Sequence, residues 1–392
     1  MLFIYLMIIQ PKTVYEGATV GLQAWWNIVF PSLLPFFIAS ELLMSLGIVS
    51  FMGVLLEPIM RPLFNVPGCG SFVMVVGFSS GCPIGSMITA KLRRNNMCTR
   101  VEAERLMSFT NNSSPLFMLV AVSVGMFGNP KLGGLIVGAH YLANLTLGLM
   151  LRFYRPKDGE RIASQSSPHN VIKRSFAELS RYHRNEKRPI GQIIGDAVTN
   201  SINTLLKIGG FMILFAVIIR LLTEMGFIDL LAQLFSAALF FLGFEQDVYK
   251  SIASGIFEIT LGTKLASETN APLLQQLLAT AMMLGWSGLS IHAQVASLIA
   301  DTDIRIYPYI FTRLAHSTLG ALYTYLFWTW SNPMEKGWLD VPTLSSADNV
   351  VISAWAVTGQ CFKIFLIILL LFILLGFLNQ LFNSAIKLVK GN

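Results

Sequence analysis

The chain has 392 residues, of which 54% are hydrophobic and only 12% charged, with a mean hydropathy of +0.62 and a formal net charge of +7. Those proportions exclude an ordinary water-soluble globular domain and make lipid the expected solvent. The four cysteines, Cys69, Cys82, Cys98 and Cys361, are too scattered for a zinc site or a disulfide framework and read as small apolar residues.

The first expected element is the apolar start "MLFIYLMIIQP", which lacks the basic segment and small-residue cleavage site of a signal peptide and reads as a short or truncated membrane segment. Another apolar segment ends in "LLMSLGI" (42–48), and an interfacial helix follows. Trp25, Trp26, Trp328 and Trp330 suit the aromatic belts at a membrane surface. The stretch "GFSSGCPIGS" (77–86) then breaks an apolar run with glycines, serines and Pro83, which are poor material for a helix interior. In hydrocarbon such a break survives only where it is buried in protein or lines a watered cavity, so 68–90 is expected to be a re-entrant helical hairpin with 77–86 at its tip. A tightly packed, kinked span of the small-residue kind is the plainer alternative.

A basic cluster, "KLRRNNMCTRVEAER" (91–105), precedes spans expected near 106–127 and 132–153. The first of these spans contains "TNNSSP" (110–115), whose polar side chains cannot face lipid and whose Pro115 disfavours helix at the residue before it. It is expected to be an unwound crossing, with Asn111, Asn112, Ser113 and Ser114 offering oxygens to a cation or donors to a carboxylate. The hydrophilic stretch 152–189 carries ten Lys and Arg against four acids and is expected to be a cytoplasmic loop under the positive-inside rule rather than a nucleic-acid footprint.

Beyond that loop the pattern returns. "LLTEMGF" (221–227) echoes "LLMSLGI", "GIFEITLGTKLAS" (255–267) stands where the first hairpin tip would fall, and "LGWSGLSIHAQV" (284–295) stands opposite "FTNNSSPLF", always at an offset near 175–179 residues. Two copies of one unit are therefore expected. With three crossings each, the second copy runs upside down relative to the first. The expected organisation is a first repeat with its amino-terminal segment at 1–153, a basic connector at 154–190, a second repeat at 191–330 with a hairpin at 248–268, an external loop at 331–359, and a final crossing with a basic tail at 360–392. Charge agrees: Arg61, 91–105, 152–189, Lys387 and Lys390 fall on one side, and only "DTDIR" (301–305) leans the wrong way. The fold class is thus an all-α polytopic membrane protein with two inverted repeats.

In the second unit Glu258 is an ionisable group inside the hairpin, where it needs a cavity or a charged partner; Lys264 could pair with it or snorkel at the hairpin mouth. Thr260, Ser287, Gly288, Ser290, His292 and Gln294 supply the remaining polar groups. No arginine is obvious within the inferred site. His140, His292 and His316 show neither nucleophile–base nor metal-triad spacing, so no catalytic, metal or cofactor site is expected. A coupling ion, Na+ or H+, is left open.

The pair "GFSSGCPIGS" and "FTNNSSP", repeated later in degraded form, together with "GLQAWWNIVFPSLLPFFI" (21–38), resembles the sporulation integral membrane protein family that contains two nucleoside-recognition Gate domains. The resemblance covers nearly the whole chain. It implies a carrier that moves dipicolinate from the mother cell across the outer forespore membrane. The Gate domain is in turn similar to concentrative nucleoside transporters, in which two hairpins and two unwound helices form a midplane site. This implies a substrate site of Ser79, Ser80, Gly81, Asn111, Asn112, Ser113, Ser114, Glu258, Thr260, Ser287, Ser290 and His292. The hairpin acid typical of nucleoside carriers is absent from the first hairpin, in keeping with an anionic cargo held by helix dipoles. The expected partners are the bilayer and a small anionic substrate, not nucleic acid, and a homo-oligomer is left open. The competing readings are a carrier of nucleosides or other small solutes and a non-transporting membrane assembly protein needed for sporulation; an embedded enzyme is the remotest.

Overall fold

The computed structural model describes residues 2–115, 117–155 and 171–331, and every regular element among them is helical. The expected crossing at 360–392, nearly all of the expected loop at 331–359, and 156–170 of the connector lie outside the described residues. In chain order the helices are α1 (Leu2–Ile9), α2 (Pro11–Ala24), α3 (Phe30–Ser45), α4 (Ile48–Phe64), α5 (Gly70–Ser80), α6 (Ile84–Arg94), α7 (Arg100–Thr110) and α8 (Leu132–Leu151). They continue as α9 (Val171–Asn185), α10 (Ile190–Glu224), α11 (Phe227–Ala238), α12 (Gln246–Phe257), α13 (Ile259–Ser267), α14 (Leu273–Trp286), α15 (Gly288–Ile299) and α16 (Tyr307–Ser331). Wider π-helical turns occupy Trp25–Val29 and Phe117–Met126.

Among the described residues two helices, α8 and α10, are long and apolar enough to cross a membrane, and α3 with α4 would make a third if the pair, bent by 82°, is one span. The bend is made by Gly47, whose φ of +76° is a left-handed conformation that suits glycine. Gly226 makes the matching turn between α10 and α11, at φ +71°. Large apolar side chains on the outside, among them Leu149, Leu206, Leu214, Leu322 and Leu326, form the surface that lipid covers.

The amino-terminal helices are fastened to α10 by close backbone approach. Gly17 and Gly21 lie one turn apart on α2; a Cβ on Gly17 would sit 3.0 Å from Val217 Cα, and one on Gly21 2.8 Å from Ile213 Cα. This is small-residue packing of the kind that joins helices in lipid. Trp25 is not part of an aromatic belt: it is buried over Gly209 and donates its indole N–H to Leu205 O at 3.0 Å, while Trp26 stays exposed. The connector is more than a loop, since α9 lies against α4, with Phe176 and Phe51 rings 5.2 Å apart and Tyr182 beneath Gly47.

Four interruptions organise the interior. Between α5 and α6, Gly81 adopts φ 87° and ψ −175°, a region essentially closed to other residues, and a cis Cys82–Pro83 bond follows. The two helices fold back on each other where Gly77 approaches Gly85 Cα at 3.4 Å from its would-be Cβ, and both glycines face Thr110 O. Between α12 and α13, Glu258 is extended at φ −147° and ψ 125°, and Gly255 and Gly262 make the equivalent close approach. Residues 111–114 are non-helical, and Ser287 (φ +72°) with Gly288 (φ +79°) separates α14 from α15. Helix α7 is started by a capping box between Thr99 and Glu102.

Acids that seemed misplaced by charge counting are paired across the chain. Arg93 donates to both carboxylate oxygens of Asp303 at 2.8 Å, Arg94 to Asp301 at 3.0 Å, and Arg305 to Glu104 at 2.7 and 2.9 Å, with Tyr154 Oη adding 3.1 Å. "DTDIR" therefore shares one end of the molecule with the basic cluster, and its charge is spent there. Lys91 pairs with Glu41 at 2.6 Å, and Arg61 bridges Glu57 and Glu102.

Two expectations follow. Arg305→Ala strips two bonds from a carboxylate that is 0% exposed and should cost about 3 kcal/mol, whereas Arg94→Ala, at an exposed pair, should cost under about 1 kcal/mol. Parallel melting of the detergent-solubilised variants checks this, and equal shifts would contradict it. Gly81→Ala forces a side chain into a glycine-only conformation and places its Cβ 2.8 Å from Ser114 N, so a loss of about 1–3 kcal/mol is expected. Gly195→Ala, where a Cβ meets nothing within 4 Å, should leave the melting temperature unchanged or slightly raised.

Candidate functional site

Backbone released by the break at 111–114 is met by side chains from three other elements. Cys82, at the α5–α6 tip, directs both its amide (2.6 Å) and its thiol (2.8 Å) to Asn112 O. From α8, Asn144 Nδ2 donates to Phe109 O at 2.6 Å, Tyr141 Oη donates to Phe78 O at 2.7 Å and reaches Ser113 O at 3.4 Å, and His140 Nε2 accepts from the Ser113 amide at 3.4 Å. Arg313 of α16 donates to Ser108 O at 2.6 Å and Asn111 O at 2.9 Å, and Asn111 Nδ2 donates to Tyr309 Oη at 2.9 Å. Irregular backbone in a lipid-covered protein needs this kind of internal satisfaction.

The breaks of the second half meet each other in the same way. Trp286 donates its indole N–H to Ile256 O at 3.0 Å, and Gly288 is so close to the α12–α13 turn that a Cβ there would lie 3.1 Å from Phe257 O. His292 bonds Trp286 O at 2.9 Å, with its ring 4.2 Å from the Trp286 ring and 5.2 Å from that of Tyr309. The halves come together where Cys82 lies beside Ser287 and where Asn111 of the first half bonds Tyr309 of the second. Helix α6 also packs on α15, and α13 on the turn at Phe117–Met126.

Positions at the repeat offset touch one another. His316 Nε2 lies 2.9 Å from His140 O, with rings 4.4 Å apart and the two residues 176 apart in sequence; Thr146 and Tyr323, 177 apart, bond at 2.9 Å.

Of the residues singled out from sequence, Gly81, Asn111, Asn112, Ser113, Ser287 and His292 are buried and belong to this cluster of contacts, with Ser80 and Ser290 buried beside them and Ser114 half-buried against Gly81. Gln294 is buried and donates to Ser290 Oγ at 3.3 Å. Ser79 does not join them: it is exposed and its hydroxyl returns to Val75 O at 2.8 Å. Glu258 spends one carboxylate oxygen on the Leu261 amide at 2.8 Å as the N-cap of α13, and Lys264 pairs with Glu268 at 3.9 Å rather than with Glu258. Thr260 is half-buried on the first turn of α13.

The expectation of a site without arginine is overturned by Arg313, which is 0% exposed and bonded to the first unwound segment. Its signal was a cation inside the apolar run "YIFTRLAHSTLGALY". His140, Tyr141, Asn144 and Tyr309 were missed as well, although the 176-residue spacing of His140 and His316 matches the repeat offset. Several buried polar atoms here make no hydrogen bond within the described residues: Ser80 Oγ, the Oδ1 atoms of Asn111, Asn112 and Asn144, Arg313 Nε and His316 Nδ1. The site can thus offer a solute hydroxyls, amide oxygens, an imidazole and a guanidinium within aromatic walls.

Residues 27–130, which contain the first hairpin and the first unwound segment, match the Gate family, described as nucleoside recognition. The sporulation integral membrane protein YlbJ of Bacillus subtilis (strain 168) is 45% identical over 362 residues, covering 90% of this chain and 88% of that protein. An uncharacterized protein of Alkalihalophilus pseudofirmus is 32% identical over 113 residues, 28% of this chain and 23% of its own. No solved structure matches the chain. The extent of the first relationship, together with the apolar helices and lipid-covered surface, identifies the chain as an integral membrane protein belonging to the family of the sporulation integral membrane protein YlbJ.

Proposed function

We propose that the protein is an alternating-access carrier of a small anionic metabolite, dipicolinate, which it moves from the mother cell across the outer forespore membrane during sporulation. The observation that carries this reading is the meeting of four helix breaks, two from each half of the chain, around buried polar groups. A structural or assembly protein has no need to interrupt four helices in its interior. Carriers do, because half-helix ends and freed backbone groups bind cargo at the midplane.

On this reading 1–153 and 191–330 are two inverted repeats about an axis near His140 and His316, joined by the basic connector at 154–190. The α5–α6 and α12–α13 pairs are re-entrant hairpins. The matched turns at Gly47 and Gly226, the matched glycine contacts in both hairpins and the self-contacts at the repeat offset support it. Opening one end would part the ion pairs of Arg93, Arg94 and Arg305. Ser80, Gly81, Asn111 to Ser114, Ser287, Ser290 and His292 would contact cargo, with a Na+ or H+ as the coupling ion. The Gate description favours a nucleoside as the second reading, and competition by uridine against dipicolinate in proteoliposome uptake separates the two.

Mutants tell a transport site from a packing break. Asn112→Ala should lower dipicolinate uptake at least tenfold at unchanged protein level, because Phe109 O, which Asn112 Nδ2 contacts at 3.1 Å, keeps its 2.6 Å bond from Asn144. Pro115→Ala relaxes the constraint on Ser114 and lets the helix rewind, so it should lose uptake too. Leu322→Ala, on the outer face of α16, should change neither level nor uptake. Wild-type uptake by both Asn112→Ala and Pro115→Ala would make the polar break a structural kink.

A further inference from the structure

We propose that Arg313 is the anchor that selects the cargo, binding one carboxylate of a planar aromatic acid against the wall formed by Trp286, His292 and Tyr309. The inference rests on the transport reading above and assigns the residue that decides its charge specificity. Arg313 is 0% exposed, and among the described residues no carboxylate pairs with it; the ionisable groups whose fields it meets are Tyr309, Cys82, His140, His292 and His316. A buried cation without a counter-charge is a heavy burden on a fold, and proteins otherwise pair it or replace it.

Its present partners account for only part of the guanidinium. Nη1 and Nη2 donate to Asn111 O and Ser108 O, the carbonyls left over at the C-terminal end of α7, where the helix dipole is negative. Nε has no acceptor, although arginine presents five donors in a planar fork. Capping a helix end needs donors but no full charge, and a neutral amide would do it without the desolvation cost. What the charge and the spare donor suit is a carboxylate, which takes two parallel N–H bonds from one guanidinium.

The walls around Arg313 specify the rest of the ligand. Its Cζ lies 5.5 Å from the Tyr309 ring centroid, that ring is 5.2 Å from His292, and His292 is 4.2 Å from Trp286. The rings touch one another at tilts of 48° and 65°, so a flat acid would lie against their free faces and edges rather than between them. Arg313 comes from the second half of the chain and its carbonyl partners from the first, so parting the halves frees the donors that an arriving carboxylate would take.

The test uses the purified full-length protein and three probes of one shape: dipicolinate, picolinate and the neutral pyridine-2,6-dicarboxamide. Affinity is read from ligand-dependent melting. Wild type should prefer dipicolinate over the dicarboxamide by at least about 30-fold, the scale of a lost charged hydrogen-bond pair, and Arg313→Gln should reduce that preference to within about threefold. A mere helix cap would lower the melting temperature of the free protein and leave the ratio between probes intact. Retention of the wild-type ratio by Arg313→Gln overturns this inference and leaves the transport reading standing. Wild type that binds none of the probes overturns both. Should Arg313→Gln fail to fold, Arg313→Lys decides: it keeps the charge but not the fork, so the preference for dipicolinate over the dicarboxamide should fall about five- to tenfold, and an unchanged preference rejects the proposal.

Discussion

A backbone amide or carbonyl that leaves a helix inside lipid must find another partner within the protein, at a cost of several kcal/mol if it does not. Every distinctive contact in the interior answers that constraint. Cys82, Tyr141, Asn144 and Arg313 converge on the segment around 109–114 because its carbonyls have no helical acceptor role left. The interior is consequently tied together by hydrogen bonds between distant segments, not by apolar packing alone. Polar groups held this way keep donors and lone pairs to spare, which is what gives the centre a chemistry.

Apposed glycines make the convergence sterically feasible. Gly77 and Gly85 both face Thr110 O, and Gly255 meets Gly262, so each folded-back pair brings its backbones closer than any side chain would allow. Had these positions carried even alanine, the tips could not reach the unwound segments. Charge closes the same assembly at one end: the acids at 301 and 303 and the buried Glu104 bind arginines from both halves of the chain. The Arg93 and Arg94 pairs, part in solvent, contribute little to stability, yet they can hold two halves in register and let go at small cost, whereas parting Arg305 from the buried Glu104 costs more.

The interruptions were readable in the sequence because glycine, proline and clustered polar residues inside apolar runs have few other meanings in a lipid-facing chain. "GFSSGCPIGS", "TNNSSP", "FEIT" and "WSGLS" are the four places where the helices break. What closes each break was not readable. Arg313 sits in an otherwise ordinary apolar helix, and its acceptors lie more than two hundred residues earlier. Ser79 looked equivalent to Ser80, but one step of helix rotation turns it outward, and Glu258 looked like an uncompensated charge until the backbone placed it as a helix cap. "DTDIR" ran against the positive-inside pattern because that pattern counts cations and is indifferent to acids already paired with them.

The central claim is that breaks from both halves form one polar site through which cargo passes, and Cys82 beside Ser287 is one place where breaks of the two halves meet. Ser287→Cys, in a background with Cys69, Cys98 and Cys361 changed to serine and a protease site introduced within 156–170, puts that contact under redox control. The account predicts that mild oxidation keeps the two cleaved halves joined and stops dipicolinate uptake in proteoliposomes, and that reduction restores separation and uptake together. Halves that never join, or uptake that continues through the joined protein, would contradict it.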